Sequence, residues 1–138
     1  MSLSFIYISG KIGSLPDKNI PKFQEAENFI ESFEEYMAIN PHKIHKGDTS
    51  NFSWSDFMKD DLQELITCDG IAMLDDWKTS PGARLELLVA LKLEKKVYCA
   101  HDMNEFSKEE KQNMLMFILA EEINTETKER RNTTFSEI

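Results

Sequence analysis

Apolar and polar positions along this chain switch repeatedly between the period of a strand and the period of a helix. Residues 4–8, SFIYI, form a short apolar and aromatic run that stops at Ser9-Gly10, as a buried strand does. The following SGKIGSLPDKNIP, with its glycines, prolines, Asp17 and Asn19, predicts a long loop. From Pro21 the spacing becomes helical: Phe23, Ala26, Phe29, Ile30 and Phe33 recur with charges between them, to an end near Tyr36. The run MAIN at 37–40 closes at Asn40-Pro41 and predicts a second strand, followed by a polar loop from His42 to Phe52. Ser53 with Asp56 resembles a capping box, although aspartate reaches back less easily than glutamate. Trp54, Phe57 or Met58, Leu62 and Leu65 continue the stripe of that second helix until Asp69-Gly70 breaks it. IAML at 71–74 is a third strand, residues 81–93 a third helix and VYCA at 97–100 a fourth strand. Ser107 with Glu110 opens a last helix with apolar positions Met114, Leu115, Ile118, Leu119 and Ile123. Beyond Asn124 periodicity fades, and the segment 125–138 is expected to be flexible or to dock on a neighbouring subunit.

Four short apolar strands alternating with four helices predict an α/β fold, one domain over residues 1–124. Its mostly parallel sheet of four to five strands is covered on both faces through right-handed crossovers. Ligands of such sheets bind beyond the carboxyl ends of the strands, near the point where strand order reverses. The loops after Ile8, Asn40, Leu74 and Ala100 therefore share the ligand-bearing edge, and the loop 42–52 is expected to close over the site.

The third helix poses the main question. At about 100° per residue, Val89, Leu93, Ala90, Ala83, Leu87 and Leu91 make one apolar arc, and Glu86 falls inside it. A buried carboxylate without partners costs several kcal/mol, so the fold must supply donors, raise its pKa, or open it to a cleft. A structural glutamate bonded to a hydroxyl or amide meets the same requirement. Ser80 before Pro81 is a good N-cap with a good first helical residue, and helix initiation alone accounts for both. The same geometry offers amides at Gly82 and Ala83 and the positive end of the helix, which together can hold a phosphate. Lys11 and the glycines of the first loop face that edge.

Composition narrows the reading. With 138 residues, 41% hydrophobic and 30% charged, the chain has the make-up of a soluble globular protein with room for a core. A net charge of -9 excludes a duplex-binding surface, which needs a basic stripe. No apolar run is long enough to span a bilayer and no signal peptide is legible, so a cytoplasmic protein without a membrane partner is expected. Cys68 and Cys99 read as buried thiols rather than a disulfide. Asp75 and Asp76 end the third strand at the ligand edge, where aspartates also commonly cap turns, and Trp77 beside them could stack on a flat ring. Asp69 sits at the opposite, amino end of that strand. His42, His45 and His101 lack the ligand spacing of a zinc site, so no metal or cofactor is expected. No complete P-loop, dinucleotide fingerprint or nucleophile elbow is present.

The segments YISGKIGSLPDKNIPKF (7–23), NPHKI (40–44) and WSDFMKDDLQELITCDGIAMLDDWKTSPGARLE (54–86) together resemble small phage and bacterial proteins of unknown function related to nucleoside 2-deoxyribosyltransferases. The resemblance covers roughly residues 5–100. It implies a flavodoxin-like three-layer sandwich and a homo-oligomer whose neighbouring chains complete the sites. In that superfamily a glutamate in a Gly-x-x-x-Glu pattern attacks the anomeric carbon of a deoxyribosyl group, which carries over to Glu86 with Gly82. Tyr7 matches an aromatic residue that positions the nucleophile. Asp69 resembles an aspartate assigned to proton transfer near the base, in tension with its place at the amino end of the strand. Ser80 stands where the transferases usually have aspartate and is more like the branch that hydrolyses deoxynucleoside monophosphates; Lys11 replaces a common proline.

The expectation is N-glycosidic bond cleavage or base exchange on a small-molecule nucleoside or nucleotide. Glu86, Asp69 and Tyr7 carry catalysis, and Ser9, Gly10, Lys11, Asp75, Trp77, Ser80 and Gly82 bind substrate. The chemistry is that of a retaining glycosidase, with Glu86 mostly ionised. A non-catalytic nucleotide-binding module and a purely structural interaction protein are the alternatives.

Overall fold

A computed structural model of the protein describes residues 2–13, 15–45 and 47–136, with side chains of the last helix described through residue 128. The chain divides into two compact units, Met1–Phe106 and Ser107–Ile138. In the first unit, β1 (Ser4–Ser9), β2 (Tyr36–Ile39), β3 (Gly70–Met73) and β4 (Lys96–Cys99) alternate with α1 (Ile20–Glu31), α2 (Trp54–Thr67) and α3 (Pro81–Lys92). The four strands form an all-parallel sheet in the order β2-β1-β3-β4. This is the flavodoxin-like arrangement, with four strands rather than five. The chain leaves β1 toward one edge and β3 toward the other, so the strand order reverses between them.

Right-handed crossovers place α1 on one face of this sheet and α2 with α3 on the other. Strand alternation then sorts the core. Ile6 and Ile8 on β1 pack with Phe23, Ala26 and Ile30 of α1, whereas Tyr7 and Ser9 point to the α3 face, where both meet Glu86. Every residue of β3 is buried, as expected of a central parallel strand.

Two boundaries differ from the sequence pattern. Helix α1 stops at Glu31, short of Tyr36, because Tyr36 is recruited as the first residue of β2 and pairs with Ser4. Phe33 remains in the connecting turn and packs edge-on between Phe29 and Tyr36. In the second unit, α4 spans Lys108–Ser136. It continues through the segment assigned to a tail, which contains no glycine or proline to stop it; residues 137 and 138 lie outside the described residues. The capping boxes form at both expected places. Asp56 does reach back to the Ser53 amide, at 2.9 Å, and Glu110 to that of Ser107, at 2.9 Å. Both cysteines are free thiols. Among the described residues no helix is long and apolar enough to cross a membrane.

Candidate active site

A cavity of about 900 Å³ opens at the carboxyl end of β1, enclosed by the first loop, the loop after β2 and the starts of α2 and α3. Its size is that of a small-molecule site. The first loop is folded around Asp76, whose carboxylate accepts from the Lys11 amide and the Asn19 side-chain amide, both at 2.9 Å. Asn19 adopts a left-handed conformation there and also donates to the Lys11 carbonyl. Gly10 is required at the turn, since a Cβ would come within 2.6 Å of the Leu74 side chain.

Glu86 lines this cavity at only 5% exposure. From β1, the Tyr7 hydroxyl donates to its Oε2 at 2.5 Å and the Ser9 hydroxyl to its Oε1 at 2.7 Å. Burial outweighs these two bonds and pushes the Glu86 carboxyl up to about 8, with the nearby Asp61 adding to the rise. At that value the carboxyl holds its proton at neutral pH, where the sequence reading expects an ionised group. The Tyr7 phenol is held well above its usual range by burial first and by Glu86 second.

Asp61, on α2, is the second acid of the cavity. It is 6% exposed, and burial raises its carboxyl to about 6 against the lowering effect of His45. Sequence reasoning missed it. Its signal was nevertheless present: Met58, Asp61 and Leu65 lie at helical spacing and are the three buried residues of α2, so Asp61 occupies an apolar stripe as Glu86 does.

The remaining expected residues separate into two groups. Gly10, Lys11, Ser80 and Gly82 line the cavity. Ser80 caps α3 by accepting from the Ala83 amide at 3.1 Å, which takes that amide out of the anion site envisaged for it. Ser9 is buried behind the cavity as a holder of Glu86 rather than exposed to a ligand. Asp69 is not brought to the site: at the amino end of β3 its carboxylate accepts from the Phe5 amide at 2.8 Å. Asp75 turns instead to a separate cavity of about 430 Å³ with Lys22, Glu25 and His101. Trp77 is buried in the short turn before α3 and does not line the large cavity. The aromatic wall comes from Trp54, 57% exposed, with Phe57. Lys18 joins Lys11 there, and His42, His45 and Thr49 bring the 42–52 loop to the rim. Among the described residues no group of three histidine, cysteine or carboxylate side chains is gathered as a metal site.

The arrangement offers two carboxyl groups of different strength, an apolar aromatic wall and two lysines around one chamber. Residues 4–99 match the family described as a domain of unknown function (DUF4406), a span that contains the whole cavity. No curated protein matches the chain.

Proposed function

We propose that this chain, which belongs to the DUF4406 family, cleaves or exchanges the N-glycosidic bond of a deoxynucleoside or its monophosphate, as the resemblance to nucleoside 2-deoxyribosyltransferases suggests. One observation carries the reading: two hydroxyls from β1 converge on the carboxyl of Glu86, which lines the same chamber as a second buried acid, Asp61. A structural glutamate needs donors, but it does not need a chamber and a companion acid.

In the proposed reaction a Glu86 oxygen bonds to the anomeric carbon while the electron pair of the carbon–nitrogen bond leaves with the base. Asp61 gives its proton to that base. Water, or a second base, then attacks the same carbon and releases Glu86, with Asp61 taking back a proton. Tyr7 and Ser9 hold the nucleophile in place. The proton that burial leaves on Glu86 passes to Asp61 as the reaction begins, drawn by positive charge developing on the sugar, so that Glu86 attacks as the carboxylate and Asp61 holds the proton it gives to the base. Trp54 and Phe57 provide an apolar wall for the base, and Lys11 and Lys18 provide cations for a 5′-phosphate. Assembly of several copies, with neighbours completing the chamber, belongs to the same proposal.

Incubation with a panel of deoxynucleosides and their monophosphates is expected to release free base. Glu86→Gln should lower the rate at least a thousandfold and Asp61→Asn at least a hundredfold, both read by chromatography of the base. No release or exchange across the panel would exclude catalysis. The second reading, a binding module, draws on the protonated state of Glu86. It requires saturable nucleotide binding without base release, undiminished in Glu86→Gln.

A further inference from the structure

His45 has no part in the scheme above, yet its ring is held by two acids and two aromatic rings. Its ring stands edge-on to Phe57 at 4.9 Å and to Phe52 at 6.0 Å. Its two nitrogens meet consecutive carboxyl groups of α2: Nδ1 lies 3.3 Å from Asp60 Oδ2 and Nε2 lies 2.9 Å from Asp61 Oδ1. An ionised carboxylate only accepts, and a neutral imidazole carries a single N–H. The ring donates to one acid as a neutral imidazole and to both as an imidazolium, and in either form it is fixed between them. Asp60, the more exposed of the two acids, anchors Nδ1, and Nε2 is aimed at Asp61.

We propose that His45 is a positioning residue: anchored by Asp60, it orients the Asp61 carboxyl at the cavity wall and bonds the carboxylate left when Asp61 protonates the departing base. This rests on the role given to Asp61 above. With Oδ1 accepting from His45, the transferable proton is on Asp61 Oδ2. It passes to the base nitrogen that has received the electron pair of the broken carbon–nitrogen bond. The negative charge stays on Asp61, where the Nε2–H bond to Oδ1 becomes charge-assisted and stronger. The logic is that of a histidine held in place by an acid, with the acid and histidine roles exchanged.

The other titratable groups facing the pair are Glu86 on α3, Tyr7 on β1 and His42 in the turn after β2. None supplies a fixed positive charge. His42 is itself held toward its neutral form by burial, with further repulsion from Lys18 and His45. His45 is thus the ring directly bonded to Asp61, whose carboxyl it lowers against burial, and its removal should raise the Asp61 midpoint.

The test uses the full chain, with nitrogen-15 and carbon-13 NMR titrations of the His45 ring and Asp61 carboxyl alongside the pH profile of base release. The variants are His45→Phe, which can fill the aromatic box without donor or charge, and His45→Gln, which keeps a donor without the charge. Expected is an Asp61 midpoint raised by one unit or more in His45→Phe. In that variant kcat should fall at least tenfold with KM within twofold, the pH profile should move upward, and His45→Gln should lie between. An Asp61 midpoint unmoved in His45→Gln, which carries the test should His45→Phe not fold, overturns the proposal. Absence of base release in the unaltered protein overturns the catalytic reading instead, and the titrations still decide whether His45 and Asp61 are paired.

Discussion

At the scale of single residues, Glu86 is a charge placed where its helix calls for an apolar side chain. The fold answers with two donors, Tyr7 and Ser9, and still leaves the carboxyl raised to about 8 from 4.5 by burial. That shift has a thermodynamic consequence. The folded state binds a proton that the unfolded state releases between these two values, so the stability contribution is full below about 4.5 and is lost as pH rises through about 8. The full shift corresponds to on the order of 5 kcal/mol. Glu86→Gln, which cannot ionise, should therefore flatten the decline of the melting temperature between pH 5 and pH 9, as measured by calorimetry. A parallel decline in the variant and the unaltered protein would assign the loss to other groups. Asp61 teaches the complementary lesson. Its place between Met58 and Leu65 on the α2 stripe was legible, but an adjacent aspartate, Asp60, makes the pair look like an ordinary solvated helix face.

At the scale of elements, the caps were readable because they are local. Ser53 and Asp56 are three residues apart and bond each other's backbone amides whatever the rest of the chain does. Ser53→Ala should cost about 1 kcal/mol in chemical denaturation, because it leaves an amide of the first turn of α2 without its acceptor. The first loop is a different case, since its organiser comes from far along the chain. Asp76 accepts from both Lys11 and Asn19, contacts that no local pattern predicts. Asp76→Ala is expected to cost about 1–3 kcal/mol and to raise KM for substrate more than it lowers kcat, because Lys11 and Gly10 lose their fixed place at the chamber. Equal losses in both kinetic constants would argue against that positioning role. The end of α1 was misplaced for a related reason: Tyr36 fits a helical stripe, but its pairing with Ser4 in the sheet wins.

At the scale of the whole molecule, the order β2-β1-β3-β4 determines where chemistry can occur. Reversal between β1 and β3 leaves a crevice at their carboxyl ends, and the loops beyond those strands, together with α2 and α3, close it into the chamber that holds Glu86 and Asp61. Two acids in one chamber titrate as a pair. Below about 6 both are protonated and no nucleophile exists; above about 8 both are ionised and no acid remains. Base release should accordingly follow a bell-shaped pH profile with its plateau between these limbs, and a rate that keeps rising beyond pH 9 would contradict the two-acid scheme. Apolar periodicity by itself determined the alternation of strands and helices, the parallel sheet and the anomaly at Glu86, because burial of strands and of helix stripes leaves a repeating mark in the sequence. Only the tertiary structure decided which polar residues meet. It added Ser9 to Tyr7 as a holder of Glu86, brought Asp61 and Trp54 to the chamber, and turned Asp69 to the Phe5 amide, because a side chain's partners depend on strand order and crossover geometry rather than on spacing along the chain.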